Sequence, residues 1–126
     1  MAFPLELKAI GYGLAVFVAG YIVMGVVGTL AVAGGDSPSN LGWIVVTGVG
    51  YLVPVAAGFV AAYFASSRRI LHGTIGGAVG VLLMLVPALF APDYQISGIP
   101  LVIATYAVLA SLGAIFGNHR RNKVGP

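Results

Sequence analysis

Few side chains in this sequence could do chemistry, and their positions limit what they can do. There are two histidines, His72 and His119, and no cysteine. Without cysteine there is no disulfide, no thiolate metal site and no thiol nucleophile. Each histidine sits beside arginines, His72 after Arg68 and Arg69 and His119 before Arg120 and Arg121. A zinc site normally needs at least three protein ligands, and no carboxylate or thiolate accompanies this pair. Ser97 and Asp93 belong to the opposite border from both histidines, so a Ser–His–Asp arrangement cannot assemble. The glycines from Gly73 to Gly80 lack the Lys-Ser/Thr that a phosphate-binding loop requires. The chain is therefore read as a non-enzyme, with no catalytic, metal-ligating or cofactor-binding residue and no cofactor.

Hydroxyl groups are more numerous. Tyr12, Tyr21, Thr29, Thr47, Tyr51, Tyr63, Thr74, Thr105, Tyr106 and Ser111 all fall within uncharged stretches. There a hydroxyl bonds its own helix or a neighbouring one. Thr47, Tyr51, Thr105 and Tyr106 are the candidates for lining a path, together with Pro54 and Pro87. Each proline removes a helix hydrogen bond and pushes away the carbonyl four residues back, at Gly50 and Leu83 respectively. Such carbonyls can accept hydrogen bonds or coordinate ions where they line a cavity.

The elements that carry these residues follow from composition. Of 126 residues 60% are hydrophobic and 7% charged, too little polar surface for a soluble globule of this size. High hydrophobicity also excludes a disordered chain. The charged residues, Glu6, Lys8, Asp36, Arg68, Arg69, Asp93, Arg120, Arg121 and Lys123, leave uncharged runs over 9–35, 37–67, 70–92 and 94–119. About 20 apolar residues cross a bilayer as a helix, and each run is long enough. The prediction is one all-α transmembrane domain over residues 1–126, with helices at about 5–33, 38–66, 70–91 and 98–118 and a basic tail over 119–126. Lys8 followed by apolar residues and Ala31-Val32-Ala33 resembles a signal peptide, but the run is far longer than a signal core, so it is expected to remain as the first span.

Punctuation agrees with these limits. Pro4 suits a first helical turn, Gly34 and Gly35 suit a helix stop, and Ser37-Pro38 suits a cap followed by a first-turn proline. Ala91-Pro92-Asp93 closes the third helix and Ser97 to Pro100 opens the fourth. Short turns imply an up-and-down antiparallel four-helix bundle. Trp43 and Tyr94 stand where interfacial aromatic anchors are found.

In such a bundle Lys8, Arg68, Arg69, Arg120, Arg121 and Lys123 share one end, with Asp36 and Asp93 at the other. The positive-inside rule makes the basic end cytoplasmic, with both termini inside, in the cell (inner) membrane. Contact with anionic lipid headgroups accounts for the basic residues, and no basic domain forms a nucleic-acid footprint. The expected partners are the lipid bilayer and its anionic headgroups, and no nucleic acid. No Asp, Glu, Lys or Arg lies at membrane depth, which argues against ion coupling.

Nineteen glycines in a helical chain point to close backbone packing, which supplies much of helix attraction in lipid. The four-residue spacings include Gly58 with Ala62, Gly73 with Gly77, Gly76 with Gly80, and Gly113 with Gly117; the first helix has Gly11, Ala15 and Ala19. These residues are expected to form helix-packing or partner interfaces. They lie toward the basic end, so the opposite half, with Met24 and Leu85, is expected to be wider. The endings 62–69 and 114–121 match at alanine, phenylalanine and the arginine pair, as in a parallel repeat about the membrane normal.

The stretch from Ala57 to Tyr63, then Arg68-Arg69 and His72-Gly73 with Gly76, Gly77 and Gly80, resembles small prokaryotic four-helix membrane proteins of unknown function of the YrzE-like family. The resemblance covers the second and third helices. It implies four spans with a short basic central turn and brings no activity or site residues. Two functions are compatible with these readings. The first is a small accessory or interaction subunit, or a homo-oligomer, joined to a larger membrane complex or to copies of itself through glycine-rich helix faces. The second is a passive channel or small carrier formed by oligomerisation, its path lined by hydroxyls and proline-freed carbonyls.

Overall fold

The computed structural model describes residues 5–32, 40–90 and 98–125. Four helices account for nearly all of them: α1 (Leu7–Val32), α2 (Asn40–Phe64), α3 (Arg69–Ala88) and α4 (Ile99–Val124). There is no strand among the described residues. All four helices are long and apolar enough to cross a membrane. The shortest, α3 with 20 residues, measures about 30 Å at the helical rise, the thickness of a hydrocarbon core. Glycine-rich segments stay helical because lipid offers no partner to an open backbone group, so each must be satisfied within its own helix. The expected stops at Gly34, Gly35 and Ser37-Pro38, the closure at Ala91-Pro92-Asp93, and Pro4, Asp36, Tyr94 and Ser97 lie outside the described residues. So do the side chains of Trp43 and Pro87.

One limit differs from the sequence reading. Helix α4 continues through His119 to Val124 instead of yielding to a tail at 119. Nothing breaks it until Gly125, whose φ of 78° is a left-handed value that favours glycine. Arg121 and Lys123 in the last turn are also favourable beside the negative end of the helix dipole. At the other end Gly98 precedes the helix and Pro100 occupies its first turn, where a missing N–H costs nothing.

Helix α2 packs closely on each of the other three, α3 likewise, whereas the backbones of α1 and α4 stay apart and only side chains such as the Phe17 and Tyr106 rings, 6.5 Å between centres, meet across. The cross-section is thus a rhombus with α2 and α3 on its short diagonal. Glycine permits this closeness. A methyl group added at Gly58 would strike the Ala110 carbonyl, and one at Gly113 would strike that of Val55. The two contacts are reciprocal, each helix laying its glycine on the other's backbone. Gly117 similarly lies on the Phe59 carbonyl, and Gly73 lies between Ala114 and Gly58. Ala57, Ala61, Ala62, Ala110 and Ala114 are fully buried, so this half of the bundle has a core made mainly of alanine and glycine.

Further along, larger residues separate the helices. Phe17, Val53, Ala57, Val81 and Leu85 form the buried apolar cluster, with Met84, Val102 and Tyr106 packed around it. Outward-facing positions are large and apolar: Leu7, Ile22, Leu52 and Leu101 are each more than 60% exposed. In water this would be an aggregating surface; in lipid it is the solvent-facing one.

Candidate functional site

The basic end is tied by polar contacts reaching all four helices. Between α2 and α3 the chain turns at Ala65–Arg68, and Arg68 takes a left-handed φ of 41°. For a residue with a side chain that conformation costs about 1 kcal/mol or more. Its carbonyl accepts the backbone N–H of His72 at 3.2 Å and lies 3.1 Å from the ring Nδ1. His72 is only 1% exposed, and its Nε2 accepts the backbone N–H of Glu6 at 2.9 Å. An Nε2 that accepts places the ring proton on Nδ1, which then donates to Arg68.

Glu6 also reaches the turn with its side chain. One carboxylate oxygen accepts the Ser66 N–H at 2.8 Å. The other accepts the Ser66 hydroxyl at 2.7 Å, the Ser67 N–H at 2.8 Å and the Ser67 hydroxyl at 3.0 Å. The Ser66 backbone and hydroxyl donors, followed by those of Ser67, hold this carboxyl well below its ordinary 4.5, at about 2. Sequence reasoning treated Glu6 only as a charge at the border of the first helix. The available signal was an acid in the first turn facing a Ser-Ser pair, but the pairing spans 60 positions and depends on the helix arrangement.

The basic residues do not share one role. Arg69 donates from Nε to the Ala65 carbonyl at 3.1 Å and from one terminal nitrogen to Asn122 at 2.7 Å, with Asn118 at 3.5 Å. It joins the end of α2 to the end of α4. Arg121 lies over the Tyr63 ring, 5.6 Å from its centre. Lys8, Arg120 and Lys123 are exposed, where headgroup contact remains open to them. His119 is exposed while His72 is buried, and no cluster of three potential metal ligands occurs among the described residues.

The small residues named from sequence, Gly58, Ala62, Gly73, Gly76, Gly77, Gly80, Gly113 and Gly117, are all buried. Gly77 lies against Ala110, Gly76 against Ala61 and Gly80 against the Phe17 ring, so their faces are filled by helices of the same chain. By contrast, Gly11, Ala15 and Ala19 of α1 are exposed.

Toward the end away from the basic residues, a cavity of about 500 Å³ opens between the helices, and Thr47, Tyr51, Thr105 and Tyr106 all line it. The sequence candidates from α2 and α4 therefore come together on one wall system, completed by apolar groups such as Met24, Met84, Leu85 and Val102. No charged residue is among the described residues that line it. Pro54 is fully buried within α2, and Gly50, whose carbonyl it cannot serve, lies on the cavity wall.

Comparison with protein-family models, with curated proteins and with solved structures gives no match. What the cavity does must be argued from its own groups.

The hydroxyls of the four helices, of which Thr47, Tyr51, Thr105 and Tyr106 line the cavity, divide by hydrogen bonding. Thr29, Thr74, Thr105 and Ser111 donate to the carbonyl four residues back in their own helices, and Thr74 also meets Ser111 at 2.9 Å between α3 and α4. Thr47, Tyr51 and Tyr106 make no hydrogen bond to any described residue, nor does Tyr21 of α1. Open hydroxyls at membrane depth cost free energy unless something pairs with them.

Proposed function

We propose that this chain is a non-enzymatic multi-pass protein of the cell (inner) membrane that takes a small molecule into the hydroxyl-lined cavity, as a small carrier does. In this reading the bundle is up-and-down and antiparallel, with both termini and the basic end cytoplasmic. The observation that carries it is the convergence of Thr47, Tyr51, Thr105 and Tyr106 on one cavity of about 500 Å³, a volume within the range of small-molecule sites. Glycine and alanine bring the helices into close backbone contact at the basic end. That favours a carrier over an open pore, and any channel requires several copies.

The test is copurification. The protein is extracted from native membranes beside a Val46→Trp variant, in which a bulky ring fills the cavity, and bound small molecules are identified by mass spectrometry. The carrier reading expects at least one compound enriched with the native chain and lost from the filled one. Identical sets of compounds on both would reject it.

A second reading, an accessory subunit or homo-oligomer, is favoured by the exposed Gly11, Ala15 and Ala19 on α1. The filled state of the α3 glycine face directs that reading to α1. Replacing Ala15 with Leu and crosslinking in native membranes tests it: unchanged crosslinked species would count against an interface there.

A further inference from the structure

The cavity walls specify more than the presence of a ligand. We infer that the site binds an uncharged, lipid-soluble carbonyl compound of the quinone class, its oxygens accepting from Tyr51, Tyr106 and Thr47; this rests on the carrier reading above.

Charge is the first restriction. Among the described residues no Lys, Arg, Asp or Glu lines the cavity, and an ionised headgroup beside these walls would be left unpaired in a low-dielectric interior at a cost of several kcal/mol. A neutral ligand suits them. Hydrogen bonding is the second restriction. Tyr51, Tyr106 and Thr47 have hydroxyl protons committed to no described residue, whereas the proton of Thr105 is already given to Leu101 at 2.8 Å. Against these donors the wall offers one backbone carbonyl without a helix donor, that of Gly50. The wall is otherwise apolar, so its complement is an apolar ligand that carries an acceptor, and a carbonyl supplies acceptor oxygens without bringing a competing donor.

Shape adds a third restriction. A space of about 10 Å³, bounded by Phe17, Tyr21, Met24, Gly50, Met84 and Tyr106 among others, adjoins the cavity. It shares Phe17, Tyr21 and Met84 with an apolar crevice of about 140 Å³ between α1 and α3. That crevice opens on the lipid-facing side, beside the exposed Val18, Ile22 and Leu83. The space of about 10 Å³ is too narrow for an alkyl chain, so a ring-sized head in the cavity leads its apolar tail into the bilayer this way only once Met24 and Met84 move aside. Methionine side chains are flexible enough to move aside for it. The proposal concerns binding alone; no electron transfer is involved.

The experiment uses the full chain in phosphatidylcholine nanodiscs, titrated with a decyl-substituted 1,4-benzoquinone, with decylbenzene, 1-decanol and decanoate as comparison probes. Retention on loaded over empty discs is the readout. The quinone is expected to bind at least tenfold more tightly than decylbenzene or 1-decanol, and decanoate is expected not to bind. Tyr51→Phe and Tyr106→Phe each remove one oxygen and keep the ring. Each should weaken quinone binding about five- to tenfold, and Thr47→Val, which lacks any ring change, should act in the same direction. Equal binding of decylbenzene or of 1-decanol, or quinone binding unchanged in all three hydroxyl variants, would overturn the assignment. Val46→Trp separates the two levels of failure. If it abolishes retention while the hydroxyl variants do not, the cavity is a site but not for this class. If it leaves retention intact, the cavity reading fails as well.

Discussion

The Glu6 backbone N–H and the His72 imidazole meet at 2.9 Å, with Nε2 as the acceptor. The contact fastens the start of α1 to the first turn of α3. It also leaves the Glu6 carboxylate free to hold the Ser66 and Ser67 donors, so one residue secures the turn through both backbone and side chain.

His72 is buried and uses both ring nitrogens. Its replacement by Ala should therefore be costly, since it leaves a void and strips the Glu6 N–H of its partner. A loss of about 2–5 kcal/mol is expected, read as reversible unfolding in detergent. His119→Ala, at an exposed position, should change stability by less than about 0.5 kcal/mol. Equal effects at the two histidines would show that the Glu6–His72 contact contributes nothing.

The Glu6 carboxyl is held at about 2 against an ordinary 4.5. A depressed carboxyl stabilises the folded state fully above its unfolded value and loses that contribution as pH falls through the folded one. The turn should thus stay closed at pH 4 and open only as pH approaches 2. Carboxyl-carbon NMR of Glu6 measures this directly, and a midpoint near 4.5 would contradict the hydrogen-bonded geometry. In Glu6→Gln, which cannot accept from all these donors as a charged group, the Ser66 and Ser67 amides should exchange on the order of tenfold faster.

Glycine substitutions should divide by location. Gly58→Ala and Gly113→Ala each drive a methyl into a backbone carbonyl of the facing helix. Backbone cannot yield as a side chain does, so a loss of about 1–3 kcal/mol or more is expected. Gly11→Ala, Gly25→Ala and Gly28→Ala meet nothing within 4 Å and should be neutral or slightly stabilising. Unfolding measured in lipid for the set would refute the packing scheme if the two groups overlapped.

Arg69→Lys tests the bond between α3 and α4. Lysine cannot reproduce the planar fork that serves Ala65 and Asn122 together. A loss of about 1–2 kcal/mol is expected, with faster amide exchange over residues 118–124. Arg120→Lys, at an exposed site, should leave both unchanged.

The architecture was legible because lipid imposes a simple rule: uncharged runs long enough to cross must become helices. The charge gaps located all four, and the small residues at four-residue spacing on α2, α3 and α4 are buried, whereas Gly11, Ala15 and Ala19 of α1 are exposed. The hydroxyl set Thr47, Tyr51, Thr105 and Tyr106 was legible as well, since polar groups at matching depth on α2 and α4 have few places to go. The sequence could not say which helix each glycine face meets, because Gly77 is compatible equally with a partner chain and with Ala110. Nor could it connect Glu6 with Ser66 and His72, a contact that exists only once α1 lies beside the α2–α3 turn. The charges from Arg120 onward mark the end of the apolar span but not of the helix, which continues to Val124 because no breaker intervenes before Gly125.

The most direct test of the cavity is an experimental structure of the native-membrane extract in lipid. The account predicts non-protein density between α2 and α4, within hydrogen-bonding distance of the Tyr51 and Tyr106 hydroxyls and absent from the Val46→Trp variant. A dry bundle in which α2 and α4 close over Thr47 and Thr105, with those hydroxyls paired to each other and no room for a ligand, would contradict it.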